Sequence, residues 1–71
     1  MNLTSESINK IYQDSLGNEY LVLQEVKSCC RMTYYLLNEV GASNEYPYDS
    51  AGRRLDHRFK VDVNSKFNLK E

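Results

Sequence analysis

The apolar residues of this chain alternate with polar ones over short stretches, a spacing that is typical of β-strands. A short stretch at Ile11–Gln13 and a longer one at residues 19–26 flank a polar segment that contains Asp14, Gly17 and Asn18. Because Asp14 can accept hydrogen bonds from its own turn, and Gly17 and Asn18 tolerate positive φ, this segment predicts a β-hairpin. The longer stretch is apolar on both sides near its start, which predicts a strand covered on both faces.

Residues 31–40 fit both a strand and a helix. The β-branched and aromatic residues Thr33, Tyr34 and Tyr35 favour a strand. A helix would instead begin after Ser28 and end at Gly41, which is a common C-terminal residue of helices. We predict a strand and keep the helix as the alternative.

The second half of the chain contains more turn signals. Residues 41–52 have the composition of a loop, with a short edge strand at Glu45–Tyr48, because a proline within a strand is tolerated only at an edge or a bulge. Residues 55–59 predict one helical turn that packs Leu55 and Phe59 inward. Residues 60–63 alternate again and predict a closing strand.

The two ends of the chain are polar and are candidates for fraying, over residues 1–9 and 65–71, with Phe67 and Leu69 as the residues that could fold back onto the core. The alternative at the N-terminal end is a short helix capped by Thr4, Ser5 or Ser7. The 71 residues form a single small domain, close to the lower size limit for a core without disulfides or metals.

Together these elements predict a mainly β fold. It is either a small SH3-like barrel or a strongly bent antiparallel sheet of four or five strands, with one short helix at most. The core is expected to draw on eleven apolar residues: Ile11, Tyr20, Val22, Leu23, Val26, Met32, Tyr34, Leu36, Phe59, Val61 and Val63.

Composition bears on whether the chain enters a membrane and on its redox environment. The longest uninterrupted apolar run is residues 20–23, so no membrane segment is predicted. A disulfide between adjacent cysteines is strained, and Cys29 and Cys30 are therefore expected to be reduced thiols in the cytoplasm.

No catalytic, metal or cofactor site is predicted. The single histidine, His57, stands beside Asp56, but no serine or cysteine has a recognisable nucleophile context. Cys29 and Cys30 lack the spacing of structural zinc motifs. The three glycines lie too far apart to form a phosphate-binding loop.

One candidate binding site is the tyrosine pair Tyr46 and Tyr48. Two tyrosines on a rigid loop offer a large contact area at low entropy cost, as protein interfaces often do. The acidic neighbours Glu45 and Asp49 would let the loop engage a basic protein surface. The alternative is that one of the tyrosines simply closes the end of the core, with its hydroxyl in water.

The other candidate is the basic segment of residues 53–60. The net charge is -1, yet residues 1–52 carry three basic and seven acidic side chains, whereas residues 53–71 carry six basic and three acidic ones. Arg53, Arg54, Arg58 and Lys60 could neutralise phosphates while nearby aromatic rings stack on bases. Acidic residues within and beside the segment weaken this interpretation, so nucleic-acid binding is an alternative function.

Three motifs carry a family resemblance: "IYQDSLGNEYLVL" at the hairpin, "YYL" in the next strand, and "LDHRFKVDV" near the end. Their order resembles small uncharacterised bacteriophage and prophage proteins with SH3-like barrels. The resemblance implies a non-enzymatic accessory protein that engages or inhibits a host protein. A structural homo-oligomer, such as a homodimer, is a further alternative.

Overall fold

The computed structural model describes residues 1–28 and 32–70. It contains a short 3-10 helix, Ser5–Ser7, and four strands: β1 (Ile11–Gln13), β2 (Glu19–Lys27), β3 (Thr33–Glu39) and β4 (Glu45–Tyr48). The strands pair antiparallel in sequence order to form one open sheet. The prediction of a mainly β fold is confirmed, but the strands do not close into a barrel.

The strand predictions hold through β4. Both strands of the first hairpin are present, residues 33–39 form a strand rather than a helix, and the edge strand Glu45–Tyr48 has its expected bounds. The expectations for the thiols of Cys29 and Cys30, and for the first residue of the predicted strand at Arg31, lie outside the described residues.

A β-bulge in β2 decides which side chains face the core. The pairing register with β3 shifts between Val22 and Gln24. Tyr20 and Val22 therefore face the core, whereas Gln24 and Val26 point to the opposite face of the sheet, together with Leu21.

The buried core lies on one face of the sheet. Its hydrophobic cluster consists of Leu3, Tyr20, Val22, Tyr35, Leu37, Tyr48 and Leu69, with Met1, Ile8, Tyr12 and Tyr46 packed against it. Leu3 and Leu69 are buried in this cluster, so both end segments pack on the core, and Leu69 folds back onto it as expected. At the N-terminal end, the Thr4 side chain accepts a hydrogen bond from the Glu6 N–H, and the Ser7 hydroxyl accepts one from the Thr4 N–H.

The predicted core is only partly right. Tyr20 and Val22 are fully buried, but Ile11, Phe59, Val61 and Val63 are 41 to 66% exposed. The remaining predicted core residues are half-buried: Leu23, Val26, Met32, Tyr34 and Leu36. The bulge and the strand alternation send Val26, Tyr34 and Leu36 to the face opposite the core, so apolarity alone misplaced them.

Residues 50–70 form turns joined by isolated bridges rather than the predicted helical turn at 55–59 and strand at 60–63. The bridges are Tyr48 with Arg54, Leu55 with Val61, and Asp14 with Leu69. The Asp56 carboxylate accepts hydrogen bonds from the N–H groups of Arg58 and Lys60, which holds a turn where the pattern favoured a helix.

Candidate functional site

Three five-residue turns, residues 14–18, 49–53 and 56–60, share one hydrogen-bond pattern. In each turn the aspartate Oδ1 accepts the N–H groups of the residues two and four positions later, at distances of 2.7 to 3.0 Å. The aspartate carbonyl also accepts the N–H of the residue three positions later. The residue at that fourth position has a positive φ in all three turns.

The third turn departs from the other two at this fourth position. Gly17 and Gly52 occupy it with φ values of 86° and 81°, but Phe59 occupies it with φ 59°. A bulky residue in the left-handed region costs on the order of 1–2 kcal/mol, and such strain tends to be kept at functional sites. Phe59 is 43% exposed, and the centroid of its ring lies 5.0 Å from that of Tyr34.

The face of the sheet opposite the core is the second feature, and we call it the open face. The strand register assigns it these positions: apolar Ile11, Leu21, Val26, Tyr34, Leu36 and Pro47, and polar Gln13, Glu19, Gln24, Asn38 and Glu45. No lysine or arginine occupies an open-face position in any of the four strands. The face is thus apolar with an acidic contribution.

The turn at 56–60 borders the open face along β4. The Leu55 N–H donates to the Pro47 carbonyl, and Leu55 is 3% exposed although it is not part of the core cluster. Because Arg54 points to the core side, Leu55 points to the open-face side. The chain then returns so that Phe59 lies against Tyr34, which makes the turn a raised edge of the face.

A groove opens beside this raised edge. It has a volume of about 290 Å³ and is lined by Ser28, Met32, Tyr34 and Phe59. Glu19 and Glu45 lie toward the other end of the open face, about 20 Å away along the strands. The open face is therefore asymmetric along the strands, with an apolar groove at one end and two carboxylates at the other.

Arg54 lies within a cluster of aromatic rings on the core side. The guanidinium carbon is 3.9 Å from the ring centroid of Tyr46 and 4.4 Å from that of Phe67. The rings of Tyr20 and Tyr48 lie at 5.4 and 5.3 Å. Arg54 Nη2 donates to the Tyr20 hydroxyl and Nε to the Tyr48 hydroxyl, both at 3.0 Å.

These two hydroxyls in turn donate hydrogen bonds to further acceptors. Tyr20 donates to the Asp14 carboxylate at 2.8 Å, and Tyr48 donates to the Phe67 carbonyl at 2.9 Å. Burial alone would raise the pKa of Asp14, but the hydrogen bonds from Tyr20, Asn18 and Leu16 outweigh it and hold the pKa below its usual value. Asp14 therefore stays ionised near neutral pH and anchors the Tyr20–Arg54 pair.

The tyrosine loop that the sequence offered as a protein-binding site is not assembled as expected. Tyr48 is fully buried, and Tyr46 is half-buried beneath Arg54, because the side chains of both tyrosines of β4 face the core. Asp49 bonds its own turn through the N–H groups of Ala51 and Arg53. Of the four residues, only Glu45 is exposed, and it belongs to the open face.

The structure also changes the interpretation of the basic segment. Arg54 is committed to the aromatic cluster, so it is not free to contact phosphate. Arg53, Arg58 and Lys60 remain exposed. Asp56 lies in the same turn as Arg58 and Lys60, and its pKa is held below the usual value by the N–H groups of Lys60 and Arg58.

The sequence pattern placed Phe59 in the core, and only the nucleic-acid alternative treated its ring as exposed. The recurring Asp-Ser-x-Gly pattern at 14–17 and 49–52 signals the first two turns. The third turn lacks the glycine, so nothing in the pattern marked it as the same structure.

No protein-family model, curated protein or solved structure matches the chain. In residues 1–28 and 32–70 there is no helix with the length and apolarity that a membrane span requires. The same residues contain no group of three or more His, Cys, Asp or Glu side chains that could hold a metal ion.

Proposed function

We propose that this chain is a non-enzymatic binding protein that docks a partner protein on its open face, with Phe59 as the aromatic anchor. The observation that supports this is Phe59 itself. It occupies a left-handed position that two equivalent turns fill with glycine, and its exposed ring lines the apolar groove with Met32 and Tyr34. Exposed aromatic anchors beside an apolar groove are characteristic of protein interfaces.

The resemblance to bacteriophage and prophage proteins gives the partner its setting. We propose a host protein, engaged or inhibited in the cytoplasm, where adjacent cysteines stay reduced. Glu45 is the one residue of the earlier tyrosine-loop hypothesis that this proposal keeps, because it lies on the open face. We assign Tyr48 and Asp49 a structural role in place of a binding role. Tyr46 has a structural role too, through its contact with Arg54.

The test is capture from a bacterial lysate by immobilised protein, compared across three variants. Phe59→Gly removes the ring and suits the turn, and Ile11→Ser removes a second exposed open-face side chain. Leu16→Ser is the matched control, because Leu16 is 57% exposed in the first turn and not on the open face. We expect one stoichiometric partner, reduced at least tenfold by the two open-face variants and unchanged by the control.

The proposal fails if the captured proteins are only chaperones, or if Leu16→Ser reduces capture as much as Phe59→Gly does. A folded state shared by all variants, checked by circular dichroism, keeps these outcomes interpretable.

Nucleic-acid binding through Arg53, Arg58 and Lys60 is the second candidate, supported by their exposure. It requires an affinity that falls steeply with salt, and a loss of binding in the Arg58→Ala, Lys60→Ala double variant. Binding that does not change with salt would remove this candidate.

A further inference from the structure

We infer that the occupant of the open face is an α-helix of the partner, with apolar residues along one side and basic residues at one end. This inference rests on the proposed function and names the form of the partner. An apolar sheet face is normally buried by a second layer, and that layer is either helices or another sheet. The shape and charge of this face favour the helix.

The dimensions of the uncovered region match one helix. The distance across the sheet from β1 to β3 is about 10 Å. A helix with its side chains is about 10–12 Å wide. Along β2 the apolar positions run from Leu21 to Val26, about 17 Å, which equals about three helical turns. A three-turn helix would therefore cover Ile11, Leu21, Leu36 and Val26 without reaching past the sheet.

The raised turn at 56–60 favours a rod over a flat surface. Leu55 is assigned to the open-face side of β4, and the Phe59 ring contacts Tyr34 of the open face at a centroid distance of 5.0 Å. A second flat sheet would meet this edge before it met Leu21 or Leu36. A helix can lie beside the edge and place one apolar side chain in the groove between Met32, Tyr34 and Phe59.

Charge sets the orientation of the helix. Glu19 and Glu45 are exposed at the end of the face away from the groove, and no strand position on the face is basic, although Lys70 lines a depression there together with Ile11 and Glu19. The N-terminal end of a helix carries partial positive charge, and Lys or Arg in its first turns would add to it. We therefore place the basic end of the helix over Glu19 and Glu45, and the opposite end at the groove.

A second copy of this chain is the main competing occupant. The described fold exposes 4797 Å², against about 4,600 Å² for a typical folded monomer of 8.3 kDa. The exposed area is thus close to that of an ordinary monomer, so the fold does not require self-association to hide its surface.

The experiment uses two 18-residue peptides of identical leucine and lysine content. One peptide spaces leucine with the helical period, and the other alternates leucine and lysine with the strand period. Labelled peptides are titrated with the full chain by fluorescence anisotropy, and amide chemical shifts locate the site. We expect the helical peptide to bind at least tenfold more tightly than the alternating peptide. Its binding should change the amide chemical shifts of Leu21, Leu36 and Phe59.

Matched charge reversals test the contribution of the acidic end. Glu45→Lys changes the acidic end of the open face, whereas Glu6→Lys makes the same change in the 3-10 helix that packs against the core. We expect Glu45→Lys to weaken the helical peptide about tenfold at low salt, and Glu6→Lys to change binding less than twofold.

Three outcomes would overturn the inference: equal binding of both peptides, chemical-shift changes outside the open face, or equal effects of the two reversals. Sedimentation that gives a dimer dissociated by Phe59→Gly would assign the face to a second copy instead. Partner capture that depends on Phe59, together with no helical-peptide binding, would reject the helix and leave the proposed function standing.

Discussion

Arg54 is a cation that stabilises the core side of this protein. It is half-buried, contacts the rings of Tyr46 and Phe67, and donates to the hydroxyls of Tyr20 and Tyr48. These contacts join β2, β4 and the C-terminal segment through one side chain. A planar guanidinium can stack on rings and donate in two directions at once, which a lysine ammonium does less well.

Replacement of Arg54 should therefore destabilise the fold. We expect Arg54→Met to lower the free energy of unfolding by about 2–4 kcal/mol, because two hydrogen bonds and the cation–π contacts are lost. Arg54→Lys should cost about 1–2 kcal/mol, since it keeps the charge. Urea denaturation measures both. The exposed neighbour Arg53→Met is the control, and an equal loss in Arg53→Met would contradict this role for Arg54.

At the scale of elements, the three aspartate turns are the recurring unit of this fold. Each combines an aspartate that bonds two N–H groups with a residue of positive φ at the fourth position. The first turn closes the β1–β2 hairpin, the second follows β4, and the third carries Phe59 to the open face. The same local geometry thus serves two structural turns and one turn that presents a side chain.

The third turn offers a direct measurement of strain. Phe59→Gly and Phe59→Ala both remove the ring, but only glycine relieves the left-handed backbone. We expect Phe59→Gly to be more stable than Phe59→Ala by about 1 kcal/mol in urea denaturation. Gly17→Ala is the matched control and should cost a similar amount, because its added Cβ would meet no atom within 4 Å. A Phe59→Ala variant as stable as Phe59→Gly would show that the turn is unstrained.

The elements were predictable where local chemistry and side-chain period agree. Asp14 and Gly17 mark the first hairpin, Pro47 marks an edge strand, and both were found where expected. The third turn was not predictable, because Phe59 occupies a position that propensity assigns to glycine, and apolarity suggested the core. Val26 was wrongly placed in the core with Tyr20 and Val22, because a bulge between Val22 and Gln24 reverses the alternation of β2 and no residue type marks a bulge in advance.

At the scale of the whole molecule, the core is unusually rich in tyrosine. Tyr20, Tyr35 and Tyr48 are buried. Burial raises the pKa of Tyr35 to about 12, and its hydrogen bond to Glu25 adds to the effect. Burial also raises the pKa of Tyr20 and of Tyr48. The phenols are therefore held neutral by the fold.

This arrangement should make the fold sensitive to alkali. The pKa of these phenols is raised above the value of about 10 in the unfolded chain, so their stabilising contribution is complete below pH 10. It is lost as the pH rises toward 12. We expect their tyrosinate absorbance to appear together with loss of the sheet signal in circular dichroism. Tyr35→Phe should remove one phenol from that joint transition, and ionisation without unfolding would contradict the coupling.

The candidate site was less predictable than the fold. The sequence pointed to large tyrosines and to charged arginines as binding residues. Two of them, Tyr48 and Arg54, instead pack and hydrogen-bond on the core side of the sheet. Whether a side chain faces a partner or the core depends on register and on long-range contacts, such as Arg54 with Tyr20. Those contacts join distant parts of the chain, and no local pattern contains them.

The burial of both termini has a consequence for synthesis. Leu3 and Leu69 belong to one cluster, and the Leu69 N–H bonds to the carbonyl of Gly52. A nascent chain can pair its first hairpin early, since those contacts are local. It cannot complete its hydrophobic core until residue 69 has left the ribosome, so the final folding step waits for the synthesis of that residue.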